Sequence, residues 1–176
     1  MKSSKLRNLT AILSKIIEIF AWLVAALCVI ALILVLTGFS LNSLANSTSL
    51  SLSIIGVGAD FVATDTMPIA VTLLIVSIIT CTLVAIMFRN INLIFKKSNT
   101  DSPFDESNIN RIKLIGYIAL AAPVVRIFGN VILGFFTDIY HVDIQLGEFI
   151  MGLIILCLAQ YFAYGASLEK DIDGLL

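Results

Sequence analysis

"IALAAPVVRIFGNVILGFF", residues 118–136, is apolar and long enough to cross a bilayer, yet it holds Pro123 and Arg126 near its middle. A hydrocarbon core of about 30 Å takes about 20 helical residues. Backbone groups left unpaired in lipid are costly, so the stretch is expected to be a helix. One face of that helix runs from Gly116 through Ala119, Pro123, Arg126, Asn130 and Gly134 to Thr137, in steps of three and four. It collects most of the small and polar residues, while Ile118, Val124, Val125, Phe128, Val131, Ile132 and Phe135 fill the rest. Small residues let helices approach and polar ones find partners there, so the stripe is expected to face protein and turn Arg126 inward.

The whole chain repeats this character. Its 176 residues are 59% hydrophobic and only 13% charged, with a mean hydropathy of +1.04. A soluble domain of this size does not carry so much apolar surface, and the excess must face lipid. Four runs are long enough to span, at about 16–39, 68–88, 115–136 and 148–166. The net charge of -1 gives no basic field for direct nucleic-acid binding.

Charge placement orients the spans. Loops 40–67 and 137–147 hold no Lys or Arg, whereas Lys2, Lys5, Arg7 and Lys15 precede the first span. Arg89, Lys96, Lys97, Arg111 and Lys113 fall in the 89–114 segment, and Lys170 in the tail at 167–176. By the positive-inside rule both termini and the middle loop are cytoplasmic. The expected architecture is an all-α membrane protein, a bundle of four transmembrane helices in one integral domain. "KLRNLTAILSKII" places Leu6, Leu9, Leu13 and Ile16 on one face, as expected for an amphipathic turn entering the first span. A basic start and "SLA" before Asn46 imitate a signal peptide, but the apolar run is too long and three spans follow.

The outer loops alternate. "SLSLSII", a pair of glycines and "DFVAT" read as two short strands, and "IYHVDIQL" alternates likewise. A small extracellular β-structured cap joining both loops is the expectation. Before the third span, Ser102, Pro103 and Asp105 are spaced as a helix start with its cap.

Arg126 sets the first candidate site. A charge at the bilayer centre costs about 2.5 to 3.5 kcal/mol on insertion scales, so it calls for a partner. Asn130, Glu18, Gln160 and carbonyls freed by Pro123 are the candidates for an intramembrane polar site, which serves either as a structural lock or as a ligand site. His141 lies between Asp138 and Asp143, a spacing that suits a solvated strand face better than a metal site. Cys28, Cys81 and Cys157 sit in apolar runs without CxxC spacing, as inert buried thiols would. No nucleophile triad, phosphate loop or HExxH pattern is present, so no catalytic residue, metal or cofactor is assigned.

The second candidate is cytoplasmic. "SPFDESNINRIK" and "QYFAYGASLEKDIDGLL" place apolar side chains beside charges of both signs, suited either to packing within the chain or to docking a soluble partner. Pro103, Phe104 and Asn108, with Phe162, Gly165, Leu168, Glu169, Asp171 and Asp173, resemble the motifs of an uncharacterised family of bacterial four-span membrane proteins. The resemblance covers nearly the whole chain in span order. It departs after Leu168, where Glu169 and Lys170 stand in place of the glutamine-acid run common in that family. Members are often encoded beside helix-turn-helix regulators. The resemblance therefore implies a regulatory partner or sequestering inhibitor of such a regulator in the bacterial cytoplasmic membrane, docking through these residues. A small transporter or transporter subunit using Arg126 for an anionic substrate is the alternative, and would have to homo-oligomerise to enclose a path. Immunity against a bacteriocin, read by the outer loops, is another.

Overall fold

In the computed structural model, residues 2–37, 51–54, 57–60, 67–97, 105–136 and 146–173 are described. Four helices occupy most of them: α1 (Lys2–Leu36), α2 (Met67–Lys97), α3 (Glu106–Gly134) and α4 (Leu146–Asp173). Each is long and apolar enough to cross a membrane. The chain is therefore a multi-pass membrane protein, with four such helices among the described residues.

The helices outrun the apolar runs that announce them. α1 begins at Lys2, well before residue 16, and α4 continues to Asp173, past residue 166. Lipid sets where apolar residues must start, but hydrogen bonding lets a helix continue into water. α3 starts at Glu106, and the Asp105 carbonyl accepts the first bonds from the Asn108 and Ile109 amides at 2.9 and 3.1 Å. Asp105 thus holds the capping position expected of Ser102, and acidic Glu106 follows at the positive helix end. Residues 98–104 lie outside the described residues.

Polar side chains inside the helices are silenced locally. Ser14 donates to the Thr10 carbonyl at 2.7 Å, and Thr80 and Thr82 donate to Val76 and Ile78. Each hydroxyl finds a carbonyl one turn back and reaches the apolar interior satisfied. Pro68 sits at the second residue of α2, where a missing amide is harmless. At the end of α3, the Phe135 and Phe136 amides bond to the Ile132 and Leu133 carbonyls in a tightened last turn.

The chain divides into two compact units. The first comprises residues 1–20, 84–121 and 145–176. Within it α3 and α4 run antiparallel, with Gly116 under Leu156 and Gly152 under Leu120. A Cβ on either glycine would stand under 3 Å from the facing leucine, so only glycine permits this approach. The Asn92 amide donates to the Ala11 carbonyl at 2.6 Å and ties α2 to α1. Along α4, Phe149, Gly152, Leu156, Ala159, Ala163 and Ala166 form one half-buried or buried seam in steps of three and four, while Ile150, Met151, Leu153, Ile154 and Leu158 stay exposed. Of its apolar stretch only 11% is buried, against 44% in α2, so α4 offers the broadest face to lipid.

The second unit comprises residues 21–83 and 122–144. Leu73, Val76 and Leu133 form its core, with Ile69 and Val125 packed on them. Gly129 admits Val76 against α3. Strands β1 (Ser51–Ile54) and β2 (Val57–Asp60) pair antiparallel, with Ser51 opposite Asp60 and Ile54 opposite Val57. A cap spanning both outer loops is not supported, because each strand pairs with the other and residues 137–145 lie outside the described residues.

Candidate functional site

Two groups of polar side chains need a physical account. The first is on α3 in the second unit. Pro123 stays inside the helix and is fully buried, although its ring supplies no amide for the Ala119 carbonyl. One turn later Arg126 is only 6% exposed and is engaged by neighbouring groups. Gly134 is also buried, Asn130 is half-buried, and Val124, Phe128, Val131, Ile132 and Phe135 are exposed. α3 therefore turns its small and polar stripe toward protein and most of its bulky apolar residues away, except that Ile118 is buried and Val125 packs on the core.

The other residues expected around Arg126 have different surroundings. Glu18 is buried at 7% exposure in the first unit and pairs with Lys15 at 3.0 Å. Lys15 is half exposed and keeps its stem along α1, so the pair neutralises a carboxylate without burying two full charges. Gln160 is exposed on α4, where the buried positions are Gly152 and Ala159. It does not offer a buried amide to an inward guanidinium. Arg126 and Asn130 share one helix face and one unit, whereas Glu18 and Gln160 belong to the other.

The second group is at the start of α3. Asn108, expected on a docking surface, is instead 2% exposed, because it falls on the same face as buried Ile115 two turns on. Its Oδ1 finds no hydrogen-bond partner among the described residues, and neither do Arg111 Nη1 and Arg7 Nε, all three in the first unit. Pro103 and Phe104 lie outside the described residues. At the far end of α4, Phe162 and Gly165 are half-buried, Leu168 is 45% exposed, and Glu169 and Asp171 are exposed.

Charge separates the two units. Ten of the eleven Lys and Arg residues, all but Arg126, belong to the first, with eight of the twelve carboxylates, leaving it at +2 and the second at -3. Among the described residues no three His, Cys, Asp or Glu side chains gather as a metal site, and His141 lies outside them. Cys28 and Cys81 are buried, but Cys157 is exposed on the bare face of α4, contrary to its expected burial.

Residues that the sequence reading passed over are Arg7, Asn92 and Arg111. Asn92 joins two helices, and the arginines read as members of a general basic belt. A polar amide between "RNI" and "LIF" was the one signal for Asn92.

No curated protein and no solved structure matches the chain. The model of the family described as Protein of unknown function (DUF2975) matches residues 62–174, more than half of the sequence, and the chain belongs to that family.

Proposed function

We propose that the chain is a non-enzymatic protein of the bacterial cytoplasmic membrane that holds a soluble helix-turn-helix transcription regulator at the inner face. The observation that supports this reading is the far end of α4. The helix does not stop with its apolar stretch but runs to Asp173, with Tyr164 and Leu168 exposed beside exposed Glu169 and Asp171. Apolar and acidic side chains on one helical edge fit a shallow apolar groove rimmed by basic residues. DNA-binding regulators carry such basic surfaces.

On this reading the positive-inside rule puts the first unit, with its ten cations, at the cytoplasmic side. Both termini then lie inside, and the β1–β2 hairpin lies outside. The transporter reading is weaker on Arg126, which is already engaged by neighbours.

Pull-down of the full-length protein from detergent-solubilised native membranes, against a form ending after Ala166, tests the proposal. Recovery of a DNA-binding regulator only with the intact tail supports it. If neither form recovers one, and shortening the tail leaves transcription unchanged, the proposal fails.

A further inference from the structure

Independently of any protein partner, we infer that Asn108 and Arg111 of α3, with Arg7 of α1, form a site for a phosphate group that carries or adjoins a hydroxyl. Asn108 and Arg111 stand three residues apart, one turn on a single helix face. Asn108 is 2% exposed and offers an unmatched acceptor, Oδ1. Arg111 offers a buried, unmatched donor in Nη1, and Arg7, on α1 in the same unit, a second in Nε. Buried polar atoms are nearly always hydrogen-bonded, to protein, ordered water or a ligand, and a single ligand that matches all three orphans is the partner inferred for them.

The mixture of orphans specifies the ligand. Two guanidinium donors require an anion, and a phosphate oxygen matches the planar fork of arginine. The Asn108 acceptor requires a donor beside that anion, which a protonated phosphate oxygen or a headgroup hydroxyl supplies. A carboxylate satisfies the arginines but leaves Asn108 Oδ1 unmatched, and a choline headgroup does the same. The carboxylates on the same turn do not serve in its place: Glu106 is exposed, and Asp105 makes no hydrogen bond to Arg111 Nη1. Arg7 and Arg111 are themselves half-buried, so each side chain keeps contact with the surroundings from which such a group would enter.

The chemistry has two sources, a hydroxylated anionic phospholipid or a soluble phosphate. The test uses the full chain in nanodiscs of phosphatidylcholine, with and without 20% phosphatidylglycerol, and in detergent with inorganic phosphate. The readouts are the thermal midpoint and the lipid retained in native mass spectrometry. Arg111→Lys preserves charge but loses the fork, and is expected to weaken binding about tenfold or more, as for one charge-assisted hydrogen bond. Asn108→Leu is expected to erase the preference for phosphatidylglycerol over phosphatidylcholine. Lys96→Gln removes an exposed cation and should leave binding unchanged. Protection by phosphatidylglycerol alone assigns the site to a lipid headgroup, and protection by inorganic phosphate assigns it to a soluble phosphate. No protection in any arm overturns the inference, as does a loss with Lys96→Gln equal to that with Arg111→Lys. Retention of monodisperse elution by Arg111→Lys separates lost binding from lost folding.

Discussion

Gly116→Ala tests whether α3 and α4 are held by close approach or merely lie side by side in lipid. The new methyl would stand 2.6 Å from Leu156 Cδ2, 2.8 Å from Cγ and 3.3 Å from the Leu156 backbone nitrogen. Carbon contacts settle near 3.5 to 4 Å, so roughly 1 Å of overlap has to be relieved. The leucine tip can swing away, but the backbone nitrogen moves only if the helices separate. Overpacking of this kind costs about 1 to 3 kcal/mol. Alanine returns about 1 kcal/mol through its better helix propensity. The net expectation is a loss of about 0 to 2 kcal/mol, too close to zero to decide by itself. The double-mutant cycle decides it. Leu156→Ala removes the two nearest atoms and leaves only the 3.3 Å approach to the backbone nitrogen, so Gly116→Ala should then be far better tolerated, giving a coupling of about 1 to 3 kcal/mol. Gly152 and Leu120 form the reciprocal pair, at 2.7 and 2.8 Å to Cδ2 and Cγ, and should behave alike. Denaturation midpoints of the four proteins in one detergent measure the cycle. A coupling below about 0.3 kcal/mol, within the error of additivity, would refute the close-packed seam.

Other substitutions probe the polar contacts. Asn92→Leu removes the hydrogen bond from its amide to the Ala11 carbonyl and should cost about 0.5 to 1.5 kcal/mol, read as a lower midpoint. Glu18→Gln should cost less than about 1 kcal/mol, since Lys15 is half exposed and keeps its solvation. Arg126→Ala leaves the groups that engage Arg126 unmatched, and should lower the yield of folded protein far more than Gln160→Ala at an exposed position. Quantitative immunoblotting of membranes checks that order, and equal yields would contradict it.

Hydropathy reveals spans because lipid imposes length and composition together, and the four runs between residues 16 and 166 correspond to the four helices. It says nothing of how far a helix continues once it leaves lipid: the spacing of Leu6, Leu9, Leu13 and Ile16 marks part of the extension of α1, whereas 89–97 is found as helix only in the structure. The face of α3 was legible from its own alternation of small and bulky residues, since Phe128 and Arg126 cannot both avoid lipid on the same side. Asn108 and Gln160 were misplaced for the opposite reason. Asn108 stands near the start of α3 and Gln160 midway along α4 beside buried Ala159, and in each case only the neighbouring helix decides which side is covered. Cys157 followed the same rule, falling beside the narrow seam of α4.

That geometry narrows where a partner can touch the basic unit. Asn108 is inside, so the start of α3 contributes packing and the orphaned donor of Arg111 in place of a surface motif. The exposed apolar and acidic edge that remains is the last two turns of α4, around Leu168, Glu169 and Asp171. A phosphate held at Arg111 and a protein held at Leu168 would then occupy two different elements of one unit, and the two can be separated by substitution. Leu168→Arg should abolish recovery of a regulator while leaving phosphatidylglycerol protection intact, and Arg111→Lys should do the reverse. Loss of both activities with either change would mean that the unit acts as one surface, and that the division drawn here between α3 and α4 is wrong.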